Sequence, residues 1–115
     1  MKFENNTGKI TITDEVFTNL AGEAATGCFG VKGMVACNKE GGPWQLLRRE
    51  SMSKGVVVHD NDDGTVSIEL HIGVDNGVNI FTVAKSIMSE VSYKLEQSTG
   101  VDVSHVDVYI DTIID

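Results

Sequence analysis

The sequence predicts an α+β domain of two layers, in which two helices cover one face of a mostly antiparallel sheet. Residues 79–99 have the apolar spacing of a long amphipathic helix, and residues 65–75 alternate as a strand does. Alternation indicates one buried and one solvated face, so both helices are expected on the buried face. Shorter segments complete the order β-α-β-β-β-α-β.

The long helix has a well-defined start and end. Asn79 suits its N-cap, and Gly100 suits the left-handed position after its last turn. Burying its apolar stripe contributes on the order of 10 kcal/mol gross, so the helix has to pack on an apolar surface. The stripe consists of Ile80, Val83, Ala84, Ile87, Met88, Val91 and Leu95.

The last strand changes its alternation part of the way along. Val101 and Val103 follow one phase, and the segment from Val106 to Ile110 follows the other. A β-bulge near Ser104-His105 would reconcile the two phases. The other predicted strands cover residues 9–13, 31–36 and 55–59, and a first helix begins at Thr13 or Asp14 and ends at Gly27 to Gly30.

Length and charge limit the possible functions. The 115 residues are the size of one domain, with residues 1–7 expected to be a flexible N-terminal segment. The net charge is −8, but residues 32–54 hold five basic and two acidic side chains, whereas residues 60–115 hold eleven acids and two lysines. This surface mostly repels nucleic acid, while its basic segment could attract the acidic face of a second copy.

The N-terminal sequence and the cysteines indicate an expected location but no specific function. The chain has no apolar run of 18 residues and no apolar segment near Met1, so a cytoplasmic location is expected. Cys28 and Cys37 are the only cysteines and are interpreted as reduced thiols, although a disulfide is not excluded by the sequence. They do not form a CxxC pair, so no structural zinc site is expected.

Catalytic and metal-binding patterns are weak. His59 and His71 flank one predicted hairpin and could be neighbours across it, but zinc needs three or four converging ligands. His105 is expected to make local hydrogen bonds near the bulge. The loop Asp60–Gly64 has no carboxylates at the first and last positions of a calcium loop and is interpreted as a solvated turn. We therefore expect no enzymatic activity, metal or cofactor.

The candidate interaction residues lie in the basic segment. Trp44, Arg48 and Arg49 are of the types enriched at protein interfaces, and we predict that they contact another protein. An alternative is nucleic-acid binding through residues 44–54, which the overall charge disfavours.

Several segments, in their order and spacing, resemble the alkaline shock protein family over about residues 8–113. Cys28–Val31 and Leu46–Glu50 are similar to a short, single-domain branch of it. The matching segments are Gly8–Val16, Ala21–Ala25, Gly30–Met34, Gly55–Val58, Thr65–Val74, Thr99–Val103 and Val106–Ile110.

The resemblance implies a non-enzymatic, cytoplasmic protein of Gram-positive bacteria that self-associates and takes part in envelope stress responses. Such proteins lie under the membrane through a separate membrane-anchored partner, and no catalytic or cofactor-binding residues define them. Short members are often encoded beside a kinase-like protein of fatty-acid metabolism. The leading hypothesis is therefore a self-associating interaction or scaffold protein. The alternative is a regulatory or accessory subunit of an enzyme of lipid metabolism.

Overall fold

A computed structural model describes residues 1–36, 45–46 and 55–115, and these residues form seven strands and two helices. The strands and helices follow the predicted order once two short strands, β1 and β4, are added. They are β1 (Lys2–Asn5), β2 (Gly8–Thr11), α1 (Asp14–Thr26), β3 (Val31–Ala36), β4 (Gln45–Leu46), β5 (Val56–Asp60), β6 (Val66–Asp75), α2 (Ile80–Thr99) and β7 (Val103–Ile114).

The main sheet is organised around β6. One edge of β6 pairs with β5 along its first half and with β3 along its second half, and β4 extends the sheet beyond β3. The other edge of β6 pairs with β7 over its whole length. Of the strand pairs that the structure describes in this sheet, β6–β7 alone is parallel, so the prediction of a mostly antiparallel sheet is confirmed.

The N-terminal segment has regular structure. β1 and β2 form a separate antiparallel hairpin, and the ammonium group of Met1 donates to the carbonyl oxygen of Ile12 at 2.7 Å. The same ammonium lies 3.7 Å from the carboxylate of Asp60. The flexibility expected for residues 1–7 stays a prediction, since hairpin geometry does not measure motion.

The core lies between the helices and the inner face of the sheet. α2 packs on β7, α1 packs on β3 and β5, and the two helices contact each other. The predicted alternation of β6 is confirmed, because its five inner residues are at most 1% exposed. The largest contributors to this core are Phe17, Met34, Ile68, Leu70, Ile72, Ile87 and Leu95.

Both predicted ends of α2 are confirmed. The Asn79 side chain accepts a hydrogen bond from the Thr82 backbone N–H at 3.1 Å, and Gly100 has a φ of 75°. Two residues of the predicted apolar stripe lie at its margin, since Ile80 is 38% and Met88 is 40% exposed.

The predicted bulge in β7 is confirmed, and a second one follows it. Val103 pairs with Val66 but His105 pairs with Ser67, which leaves Ser104 as the extra residue. Ile110 pairs with Ile72 and Thr112 with Gly73, which leaves Asp111 as the second extra residue.

Candidate functional site

The predicted contact residues Trp44, Arg48 and Arg49 lie outside the described residues, as does Cys37. Their role in binding therefore stays a prediction. The described surface offers three further candidates, which are a polar cluster on the open face of the sheet, the outer edge of β7 and a groove between the helices.

The polar cluster is centred on His71 of β6. Its Nδ1 atom lies 2.7 Å from Asp111 Oδ2, and its Nε2 atom lies 2.9 Å from Glu69 Oε2. The ring of Tyr109 stacks on the imidazole, with centroids 4.8 Å apart and planes 11° apart. Because Asp111 and Tyr109 belong to β7, the cluster joins the two parallel strands on the face away from the helices.

The surroundings of His71 favour its charged form. Burial alone would lower its pKa, but hydrogen bonds to Glu69 and Asp111, together with their negative charge, outweigh burial and raise the pKa above its usual value. Each ring nitrogen already has a carboxylate partner, so the imidazole is held as a link between strands. This arrangement does not leave a ring nitrogen pointing at a reacting group or metal ion.

The two other histidines are placed differently. The expectation that His59 and His71 are neighbours is wrong, because β5 pairs with β6 only as far as Leu70 and His59 lies opposite Ser67. His105 makes the local hydrogen bonds predicted for it, with Nδ1 3.1 Å from the Ser104 hydroxyl oxygen. Within residues 1–36, 45–46 and 55–115, no group of three or more His, Cys, Asp or Glu side chains converges as metal ligands do.

The outer edge of β7 is the longest unpaired strand edge of the described structure. Its inner edge pairs with β6, and no other described strand pairs with β7. Twelve residues at about 3.3 Å each give an edge of about 40 Å. The strand order that places β7 at this edge comes from the fold and was not predicted from the sequence.

A half-open groove of 540 Å³ separates the outer sides of α1 and α2. Phe29 and Tyr93 stand at the groove and are 90% and 64% exposed. Cys28 also lines the groove and is buried, and its thiol donates weakly to the Ala24 carbonyl oxygen at 3.5 Å. The groove was not predicted from the sequence, in which the aromatic residue between Cys28 and Gly30 is the signal that could have indicated it.

Cys28 is not placed as a nucleophile. Burial raises its pKa, a hydrogen bond with Ser86 partly opposes this, and the negative charge of Glu90 adds to the increase. A thiol with a raised pKa holds little thiolate near neutral pH, and the thiolate is the reactive form.

Neither helix has the combination of length and apolar character needed to cross a bilayer, within the part of the chain that the structure describes.

These features define a small two-layer α+β domain. The model of the alkaline shock protein 23 family, described as having a cell envelope-related function, matches residues 2–114. The chain belongs to this family, and the resemblance noted in the sequence is confirmed.

Relatives in two bacteria match over nearly the whole chain. The uncharacterised protein YloU of Bacillus subtilis is 34% identical over 107 residues, which is 92% of this chain and 88% of YloU. The uncharacterised protein Spy1614 of Streptococcus pyogenes is 35% identical over 114 residues, which is 98% of this chain and 93% of Spy1614.

Solved structures with a similar fold include two histidine variants of MamM-CTD. They superpose with TM-scores of 0.51 and 0.50 at 17% sequence identity, covering 87% and 86% of this chain and 98% and 94% of theirs. This likeness concerns the fold alone.

Proposed function

We propose that the protein is a non-enzymatic scaffold of the cell envelope response that self-associates in the cytoplasm. The observation that carries the proposal is the outer edge of β7. Its unpaired N–H and C=O groups can accept a further strand, and a strand edge of this length is seldom left open without protection. β7 contains neither Lys nor Pro, two residue types that protect an edge, and its two bulges are the edge-protecting devices that it does contain.

Light scattering on a sizing column, repeated over a range of protein concentrations, tests the proposal. A self-associating protein gives a mass that rises with concentration to a multiple of 12.4 kDa. A mass of one chain at every concentration would overturn it.

Salt distinguishes two possible modes of assembly. Contact between the basic segment of one copy, residues 32–54, and the acidic face of another, residues 60–115, would weaken as salt is added, because exposed charge pairs are screened. The paired substitution Arg48→Glu and Arg49→Glu would then abolish assembly. Association through β7 relies on backbone hydrogen bonds and apolar contact, so it would persist at high salt and in this variant.

A second candidate function is that of an accessory subunit of an enzyme of lipid metabolism, contacted through the helix groove. The exposed rings of Phe29 and Tyr93 favour it, because aromatic residues are enriched in protein interfaces. Co-purification with a kinase-like protein of fatty-acid metabolism tests it, with Phe29→Ala and Tyr93→Ala expected to weaken recovery. Equal recovery with both variants, or no recovery with the native chain, would reject it.

Two further expectations remain proposals. A membrane-anchored partner would place the protein at the membrane periphery, which fractionation of cells with and without that partner can test. Nucleic-acid binding through residues 44–54 has less support, and an absence of binding to a DNA duplex at low salt would remove it.

A further inference from the structure

We propose that a second copy of this chain pairs antiparallel with β7, with a twofold axis passing through Val108. The proposal rests on the self-association proposed above and specifies the surface and the register. It follows from the placement of residues along β7.

The pairing with β6 assigns each residue of β7 to one face of the sheet. Residues opposite the buried side chains of β6 face the helices, and residues opposite Ser67, Glu69, His71 and Gly73 face the open side. The hydroxyl of Ser104 reaches Ser67 and the carboxylate of Asp111 reaches His71, so both extra residues also lie on the open side. The helix-facing residues are Val103, Val106, Val108, Ile110 and Ile113.

The two bulges are symmetric about Val108. The pair Ser104-His105 lies three and four residues before Val108, and the pair Asp111-Thr112 lies three and four residues after it. Each bulge therefore faces the other bulge when two copies of β7 run antiparallel about this residue. A bulge normally disturbs pairing with a regular strand. In this register, however, helix-facing residues lie opposite helix-facing residues, and open-face residues opposite open-face residues, along the whole overlap.

The chemistry of the facing residues agrees with this register. Helix-facing positions pair aliphatic with aliphatic, and open-face positions pair a hydroxyl with a hydroxyl and an imidazole with a carboxylate. The pairs are Val103 with Ile113, Ser104 with Thr112, His105 with Asp111, Val106 with Ile110, Asp107 with Tyr109, and Val108 with itself.

Neighbouring registers are disfavoured by charge. An axis through Asp107 places that carboxylate opposite its own copy, and an axis through Tyr109 places Asp107 opposite Asp111. Like charges directly opposite each other destabilise a strand pair. An axis between two residues would place helix-facing side chains opposite open-face side chains, which the pleat does not allow.

The flank of α2 supplies apolar surface at the same edge. At about 100° per residue, Phe81 and Met88 lie on the side of α2 opposite the groove-lining Ser86 and Glu90, and therefore on the side away from α1. Phe81 is 76% and Met88 is 40% exposed. α2 packs on β7, so this flank borders the open edge and would face the same flank of the second copy.

Met88 lies close to the level of the proposed axis. It is about 16 Å before the end of α2 at roughly 1.5 Å per residue. Val108 is about 16 Å after the start of β7 at roughly 3.3 Å per residue. Since α2 and β7 are joined by a short turn at Gly100, Met88 would approach its own copy across the axis.

The available area suits a stable pair. An edge about 40 Å long and, with one helix layer, about 20 Å high presents on the order of 800 Å². A standard-size interface buries about this area on each partner.

Disulfide trapping tests the register. In a Cys28→Ala, Cys37→Ser background, Val108→Cys places two thiols beside the axis, and a mild oxidant is expected to cross-link most of the protein. Val103→Cys is the matched control, because it lies on the same face of the same strand but about 33 Å from its own copy. Cross-linking of Val103→Cys, or its absence in both variants while the mass stays dimeric, would overturn the proposal.

A charge substitution tests the facing pairs. The carboxylate introduced by His105→Asp would face Asp111 of the other copy, and the twofold symmetry repeats this contact. The variant is expected to weaken dimerisation about tenfold. His59→Asp adds the same charge to another exposed histidine of the sheet, away from β7, and is expected to leave dimerisation unchanged. Equal effects of both variants would contradict the register. A native chain that is monomeric at all concentrations would reject the proposed function as well.

Discussion

The imidazole of His71 and the carboxylate of Asp111 lie 2.7 Å apart and connect the two parallel strands at the centre and edge of the sheet. A raised pKa means that the folded protein binds the His71 proton more tightly than the unfolded chain does. His71 therefore contributes its full stabilisation of the folded state when the pH is below the pKa that it has in the unfolded chain. This contribution is lost as the pH rises through the pKa of His71 in the folded protein.

The pH dependence of stability follows from this sign. Urea unfolding of the native chain should give a lower free energy of unfolding at pH 8 than at pH 6, and His71→Gln should remove much of that difference. His59→Gln is the control and should retain the native pH dependence. A pH dependence that persists unchanged in His71→Gln would show that another group is responsible.

The close approach of Gly30 to α2 predicts that a side chain at this position destabilises the fold. A Cβ atom at Gly30, which has a φ of +88°, would lie 2.9 Å from Val83 Cγ2. Gly77 has a similar φ of +92° with nothing within 4 Å of the same position. Gly77→Ala should cost about 1 kcal/mol of unfolding free energy, and Gly30→Ala about 3 kcal/mol. Chemical denaturation measures both, and equal losses would mean that Val83 moves aside.

Cys28 should react slowly with thiol reagents. Its raised pKa and its burial both reduce the concentration of accessible thiolate. In a Cys37→Ser variant, the rate of alkylation at pH 7 should be lower than that of a free thiol and should rise when urea unfolds the chain. Rapid alkylation of the folded variant would contradict the burial of Cys28.

The flank of α2 gives a prediction about assembly. Met88→Lys would place two ammonium groups near the proposed axis and should reduce dimerisation about tenfold or more. Ser89→Lys adds the same charge to the neighbouring exposed residue, and its effect should be small. Sedimentation equilibrium compares the two, and thermal unfolding checks that both variants fold. Equal dimerisation of both would place the interface elsewhere.

Local patterns were sufficient to predict most of the fold. The alternation of β6 and the ends of α2 at Asn79 and Gly100 depend on residues close in sequence, so periodicity and capping rules capture them. The first bulge of β7 was predictable because it changes the phase of the valines around Ser104. The second bulge was not predicted, since Asp111-Thr112 leaves the visible alternation up to Ile110 intact.

Long-range placement was harder to predict. His59 and His71 were considered as neighbours because they flank one hairpin, but the register of that hairpin places His59 opposite Ser67, four residues before His71. The partnership of His71 with Asp111 depends on which strand follows β6 in the sheet, and local patterns do not contain that information. The same strand order makes β7 the open edge and so the candidate interface.

Amide hydrogen exchange at two protein concentrations tests whether two copies of the chain assemble through β7. At high concentration, where the mass is that of a dimer, residues 103–114 should exchange more slowly than after dilution. Residues 66–70 and 72–74 are paired on both sides within one chain and should exchange equally in both samples. Identical exchange of residues 103–114 at both concentrations, while the mass still changes from dimer to monomer, would contradict assembly through β7.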